Sequence, residues 1–189
     1  MERPIALREW AVAVKALEEG RQSIVLRKGG IAEETKEFRL ESPRFYLFPS
    51  YEHQRPELVK PESRDAVDRT KEEAAAHPET VRVTSYAEVE DDIEVTDAET
   101  LKRLNAMHIW TEDYAEERLR WKKTKPLHVL LLRVYKLDEP IDIPMKDIYG
   151  GCKSWLRLEE EFAEPGRTPV LTDAEFQAKA EAVRRAIAG

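Results

Sequence analysis

A chain of 189 residues with 41% hydrophobic and 37% charged side chains is long enough for one domain with its own core and too short for two comfortable ones. Its formal charge of −7 argues against a protein that coats DNA or anionic membrane over its whole surface, while leaving room for a local basic patch. A single cysteine, Cys152, excludes an internal disulfide, and no apolar run approaches the roughly 20 residues of a bilayer span.

The apolar run Val129-Leu130-Leu131-Leu132 is strand-sized, and the start Met1-Glu2-Arg3-Pro4 has neither the basic beginning nor the apolar centre of a signal peptide. The expectation is a cytoplasmic chain with no membrane partner. From Ile5 to Glu19, Leu7, Trp10, Val14 and Leu17 form one helical stripe, and Gly20 stands where a helix-ending glycine belongs, so a helix is predicted over 5–19. Trp10, Val12 and Val14 also alternate, which fits a strand. Gln22–Arg27 reads as a strand stopped by Lys28-Gly29-Gly30. Phe38–Leu40 and Phe45–Phe48 read as two more, separated by Ser42-Pro43.

Residues 55–79 change texture. Pro56 and Pro61 precede an Ala/Glu/Lys-rich stretch that ends at Pro78, which predicts a loop and an exposed helix forming a mobile or helical insertion. Thr80–Val89 resumes strand character. Thr96-x-x-Glu99 is a capping box before Leu101, Leu104 and Met107, and Thr111 is placed to cap a helix over 112–121. Leu127–Leu137 is the clearest strand and is expected to be central. Thr172-x-x-Glu175 opens a last helix over 173–188 with Phe176, Ala180, Val183 and Ile187 on one face. The fold class expected is α+β: a single domain over 1–189, with a mixed or antiparallel sheet packed against helices and Leu26, Phe45, Leu47, Val129, Leu131 and Val134 buried.

Charge is segregated along the chain. Glu88–Glu99 holds seven acids and no Lys or Arg, whereas Arg118–Lys136 holds seven Lys or Arg and no acid. Such blocks either pair with each other and with water or present a basic face to phosphate.

Familiar catalytic signatures are absent. There is no Walker A, dinucleotide-binding or nucleophile-elbow motif, no paired Cys or His-x-x-x-His for zinc, and no Nudix-type box. The one Glu-x-Lys, Glu34-Thr35-Lys36, has no aspartate before it, the first being Asp65, which disfavours a restriction-type nuclease core. His108 and Glu112 are four apart, a spacing that more often makes a helix-end contact than a metal site. No metal site and no cofactor is assigned.

Three short stretches carry more chemistry than packing needs. In Leu26-Arg27-Lys28-Gly29-Gly30-Ile31, two cations at a strand end beside two glycines make a candidate anion cradle; an ordinary glycine turn is the plain alternative. In Phe48-Pro49-Ser50-Tyr51-Glu52-His53-Gln54, Glu52 and His53 could work as an acid/base pair with Gln54 fixing a polar ligand. Neighbours on a strand point opposite ways, so this requires the strand to end there. In Gly150-Gly151-Cys152-Lys153-Ser154-Trp155, glycines allow close backbone approach beside a cation and a stacking ring. Cys152 more often serves as a small buried hydrophobe than as a nucleophile. His108-Ile109-Trp110 and Trp121 add rings among charges, which core packing explains equally well.

These stretches, with Glu9-Trp10-Ala11-Val12 and Ala16-Leu17-Glu18-Glu19-Gly20, resemble a bacterial family, domain of unknown function 1802, over about residues 5–160. The resemblance implies no established activity. Association of family members with Mrr-type restriction endonuclease domains implies a link to restriction-modification or other DNA work, and transfers no catalytic role. Gly20-Arg21-Gln22-Ser23-Ile24-Val25-Leu26-Arg27 more weakly resembles the ASCH and PUA-like group of RNA- or nucleotide-associated barrels, with Val25 standing where that group has Glu.

The expected function is a nucleic-acid- or nucleotide-binding accessory protein with binding residues Arg27, Gly29, Gly30, Gln54, Lys153, Ser154 and Trp155. One alternative is a small hydrolase or phosphoryl-processing enzyme with candidate catalytic residues Lys28, Glu52 and His53. The other is a non-catalytic protein-interaction module. If the three stretches are loops at one end of a sheet, Arg27, Lys28, Glu52, His53, Gln54, Lys153 and Trp155 converge on one concave surface; the opposing expectation is three turns, each satisfied locally.

Overall fold

A computed structural model describes residues 3–28, 38–122, 124–151 and 153–189. Strands β1 (Ile5–Trp10), β2 (Ile24–Arg27), β3 (Arg44–Ser50), β4 (Thr80–Val95), β5 (Leu127–Pro144), β6 (Trp155–Arg157) and β7 (Arg167–Pro169) form one mixed sheet. Their order is β2-β5-β4-β3-β1-β6, with β7 also paired to β5. The helices are α1 (Ala11–Glu18), α2 (Arg64–Ala76), α3 (Ala98–Arg103), α4 (Glu112–Arg120) and α5 (Asp173–Ala188). This is the expected α+β class with a mixed sheet, and Leu26, Phe45, Leu47, Val129, Leu131 and Val134 are all buried.

The predicted helix over 5–19 is corrected: its first half is β1. This strand runs parallel to β3, with Ala6 beside Tyr46 and Trp10 beside Ser50. Ala6 through Glu9 are all buried. A strand covered on both faces loses its polar alternation, which is why Leu7 and Trp10 passed for a helical stripe. The helix begins at Ala11 with no loop, and Gln54 stands in for a local cap: its Oε1 accepts the Val12 N–H at 3.1 Å. Gly20, at φ 72°, ends it as expected. The Gly20 N–H bonds Leu17 O and the Arg21 N–H bonds Ala16 O, a Schellman closure.

Two further corrections follow from local partners. Phe38–Leu40 belongs to no strand; Phe38 is buried, with its ring 5.9 Å from that of Trp155. The cap of α3 is Asp97, whose carboxylate accepts the Thr100 N–H at 2.8 Å, and not Thr96. Thr111 caps α4 as read, accepting from Tyr114 N, and Thr172 with Glu175 makes the full capping box of α5. Within 55–79, α2 packs Val67 and Thr70 inward, and Val59 bridges to Trp110.

Alternation along β1 and β3 divides the core. Leu7, Phe45 and Leu47 join α1, α5 and β2 on one face, while Ala6, Tyr46 and Phe48 join Val83, Ile143 and Leu156 on the other. The β4–β5 ladder carries register shifts at Val83/Ser85 and Val89/Asp91, the kind of irregularity that increases twist. The sheet is curled enough for side chains from opposite ends of the strand order to meet. Arg27, ending β2, donates to Arg8 O on β1 at 2.8 Å and to Ser154 Oγ, just before β6, at 2.6 Å.

Candidate functional site: a cationic cleft at the strand ends

Because β1 and β3 are parallel, their carboxyl ends, Trp10 and Ser50, lie side by side. The curl brings the end of β2 and the approach to β6 to the same place. Carboxyl ends of parallel strands are where α/β sheets tend to bind ligands, and here they floor a cleft of about 420 Å³. Five chain segments surround it. Arg8, Glu9 and Trp10 come from β1, Arg27 and Lys28 from the end of β2, and Ser50, His53 and Arg55 from β3 and the chain after it. Trp110, Tyr114, Arg118 and Trp121 come from the α4 region, and Gly151, Lys153 and Ser154 from the turn before β6.

The buried centre is an ion pair. Glu9, 3% exposed, meets Arg27 Nη1 through Oε2 at 3.1 Å, and its Oε1 accepts the Trp10 N–H at 2.8 Å. Arg8 is buried too and donates to the backbone oxygens of Tyr149 at 3.0 Å and Gly151 at 2.5 Å. These two arginines build the cleft, tying its floor to the turn at 149–154.

The remaining cations are in a different position. Lys28 donates to Leu119 O, and Arg118 donates to Lys28 O at 3.2 Å while its guanidinium lies 4.9 Å from the Trp121 ring centre. Burial first, and the Arg118 charge second, hold the Lys28 pKa below the usual lysine value. Arg55 and Lys153 are exposed at the rim. Among the described residues no carboxylate lies within ion-pair distance of Lys28, Arg55, Arg118 or Lys153.

Aromatic rings make the other wall. Trp10 sits edge-on to Trp110 at 6.1 Å and 5.2 Å from Tyr114, and Lys122 adds a second cation 4.4 Å from the Trp121 ring centre. Burial raises the Tyr114 pKa, so its hydroxyl stays protonated near neutrality.

Of the predicted site residues, Arg27, Lys28, His53, Lys153 and Ser154 line this one cleft. Glu52 does not line it; it is exposed and faces Arg8 Nη2 across 3.9 Å. Gln54 is fully buried, with both amide ends used: Oε1 on Val12 N and Nε2 on Thr70 Oγ1 at 2.6 Å. It splices α1 to α2 and does not line the cleft. Trp155 turns away from the cleft, packing edge-on to Phe45 at 5.1 Å and donating its indole N–H to Arg39 O. Gly29, Gly30 and Cys152 lie outside the described residues, as does Glu34-Thr35-Lys36.

Sequence reasoning missed Arg8, Glu9, Trp10, Arg55, Tyr114 and Arg118 as site residues. A signal existed for three of them, since Glu9-Trp10 stands inside a motif already singled out. Arg118 opened the basic block.

Fold and cleft together define an α+β protein with a basic, aromatic-walled cleft at the strand ends of a curled mixed sheet. The chain belongs to the family described as Domain of unknown function (DUF1802), whose model matches residues 6–182. No curated protein matches it. Among solved structures it is similar to a Tyr-to-Phe mutant of ZmASCH from Zymomonas mobilis, 14% identical over 95% of this chain and 97% of that one, at a TM-score of 0.47. It is also similar to ASCH from the same organism, 16% identical over 95% and 94% of the two chains, at a TM-score of 0.42. Neither likeness assigns a role to any residue here.

Proposed function

We propose that the cleft binds a phosphate-bearing ligand with a stackable base, making this a nucleic-acid- or nucleotide-binding accessory protein. The observation that carries the reading is the set Lys28, Arg55, Arg118 and Lys153, four cations around one cleft with no carboxylate partner among the described residues, in a chain of net charge −7. Several cations elsewhere face acids: Lys15 meets Glu73, Arg82 meets Asp142 and Arg133 meets Asp173. Leaving like charges unneutralised beside one another opposes folding, and an anion that neutralises them recovers that free energy on binding. The rings supply the second half of the recognition, since base stacking on aromatic faces contributes about 1–3 kcal/mol per base.

The hydrolytic reading has less support. Lys28 and His53 share the cleft, but Glu52 is outside its lining, so the three groups do not surround one ligand. A restriction-linked role would make DNA the ligand. The test is fluorescence anisotropy of labelled single-stranded RNA, single-stranded DNA and duplex DNA at low salt, with wild type and an Arg55→Ala/Lys153→Ala variant. Binding that weakens with salt, and weakens about tenfold or more in the variant, is the expected result. Absence of binding to all three probes and to nucleoside monophosphates, or equal binding by the variant, overturns the proposal.

A further inference from the structure

We infer that the cleft takes a single nucleotide bearing a terminal phosphate, either free or at the end of a strand, and does not track a continuous backbone. This rests on the proposed function and specifies its ligand. Three observations carry it. The first is size. The cleft holds about 420 Å³, within the range of small-ligand pockets and enough for about one nucleotide.

The second is that the next arginine along α4, and several cations farther off, are neutralised. A protein that follows a strand needs unneutralised cations continuing along its path. Beyond this cleft, Arg120 on the same helix as Arg118 faces Glu116 at 3.6 Å, and Arg167, Lys146 and Arg184 each face acids. The chain as a whole is negative, so a long polyanion is repelled where a compact anion seated among Lys28, Arg55, Arg118 and Lys153 is not.

The third is the division of the walls. Trp10 and Trp121 are half-buried and line the cleft, while Lys153 and Arg55 stand at its rim. Rings and cations therefore border the same small volume, the arrangement for one base and its own phosphate. A terminal phosphate carries more charge than a backbone diester and gains correspondingly more from clustered cations.

Tryptophan fluorescence titrations of the full chain separate the outcomes. The probes are the four ribonucleoside 5′-monophosphates, the matching nucleosides, a 5′-phosphorylated oligothymidylate, the same oligonucleotide without its end phosphate, and circular single-stranded DNA. The inference expects monophosphates and the phosphorylated oligonucleotide to bind with similar affinity. It expects loss of the end phosphate to weaken binding at least about tenfold, the size of one charge-assisted contact set. Equal binding of phosphorylated, unphosphorylated and circular strands overturns this inference and leaves nucleic-acid binding standing. Binding of none of the probes overturns both.

Discussion

At the scale of single residues, burial separates the charges that build the site from those that serve it. Glu9 and Arg27 form a pair whose side chains are 3% and 15% exposed. Removing one partner strands the other out of water, which typically costs about 3–5 kcal/mol. Arg27→Ala is therefore expected to lower unfolding stability by about 3 kcal/mol in denaturant titrations. Arg82→Ala, which breaks the exposed pair with Asp142, should leave the midpoint where it was. Comparable losses in the two variants would refute the structural role given to Arg27.

His108 is a second residue-scale case. Burial, followed by the Lys60 charge, pushes its pKa from 6.5 down to about 3. The native state holds the ring neutral while the unfolded chain protonates it, so between these values the unfolded state binds the extra proton. The stability linked to His108 is thus complete above about pH 6.5 and is lost as pH falls toward 3. His108→Leu should flatten the decline in unfolding free energy between about pH 7 and pH 5. An unchanged slope would show that other groups govern it.

At the scale of elements, legibility followed the completeness of the local signal. The α5 capping box, the Thr111 cap and the Gly20 terminus were each readable because the residues that make the contact lie within a few positions of one another. The start of β1 was not, because its strand character comes from pairing with β3, some forty residues away in sequence, and the N-terminal cap of the following α1 is supplied by Gln54. Gly20 gives the sharpest element-scale test. A Cβ there meets Leu171 Cδ2 at 2.9 Å on a backbone at φ 72°, whereas at Gly151, φ 84°, a Cβ meets nothing within 4 Å. Both alanine substitutions carry the left-handed penalty of roughly 1–2 kcal/mol, and Gly20→Ala adds a clash with the segment entering α5. Gly20→Ala should therefore melt lower than Gly151→Ala, and the reverse order would refute the packing described.

For the molecule as a whole, charge balance pointed to the absence of a broad basic surface but did not locate the local one. Arg27, Lys28, His53, Lys153 and Ser154 were legible because glycine- and proline-rich turns after strand-like runs mark loop tips. Gln54 and Trp155 sat in the same turns, yet a buried amide needs partners and an indole gains from burial, so both turned inward to Val12, Thr70, Phe45 and Arg39. Arg8, Arg55 and Arg118 come from three distant stretches, and only the parallel β1–β3 pairing and the curl of the sheet unite them.

The claim that these cations are kept for an anion is tested most directly by thermal unfolding at low salt, with and without a 5′-phosphorylated oligothymidylate. Arg55 and Lys153 add repulsion without repaying it in the free protein, so the Arg55→Ala/Lys153→Ala variant alone should melt no lower than wild type. At a ligand concentration about a hundred times the wild-type dissociation constant, the wild-type midpoint should rise by about 5–10 °C, and the variant's by about half as much or less. An equal rise in both proteins, or no rise in wild type, would contradict the account.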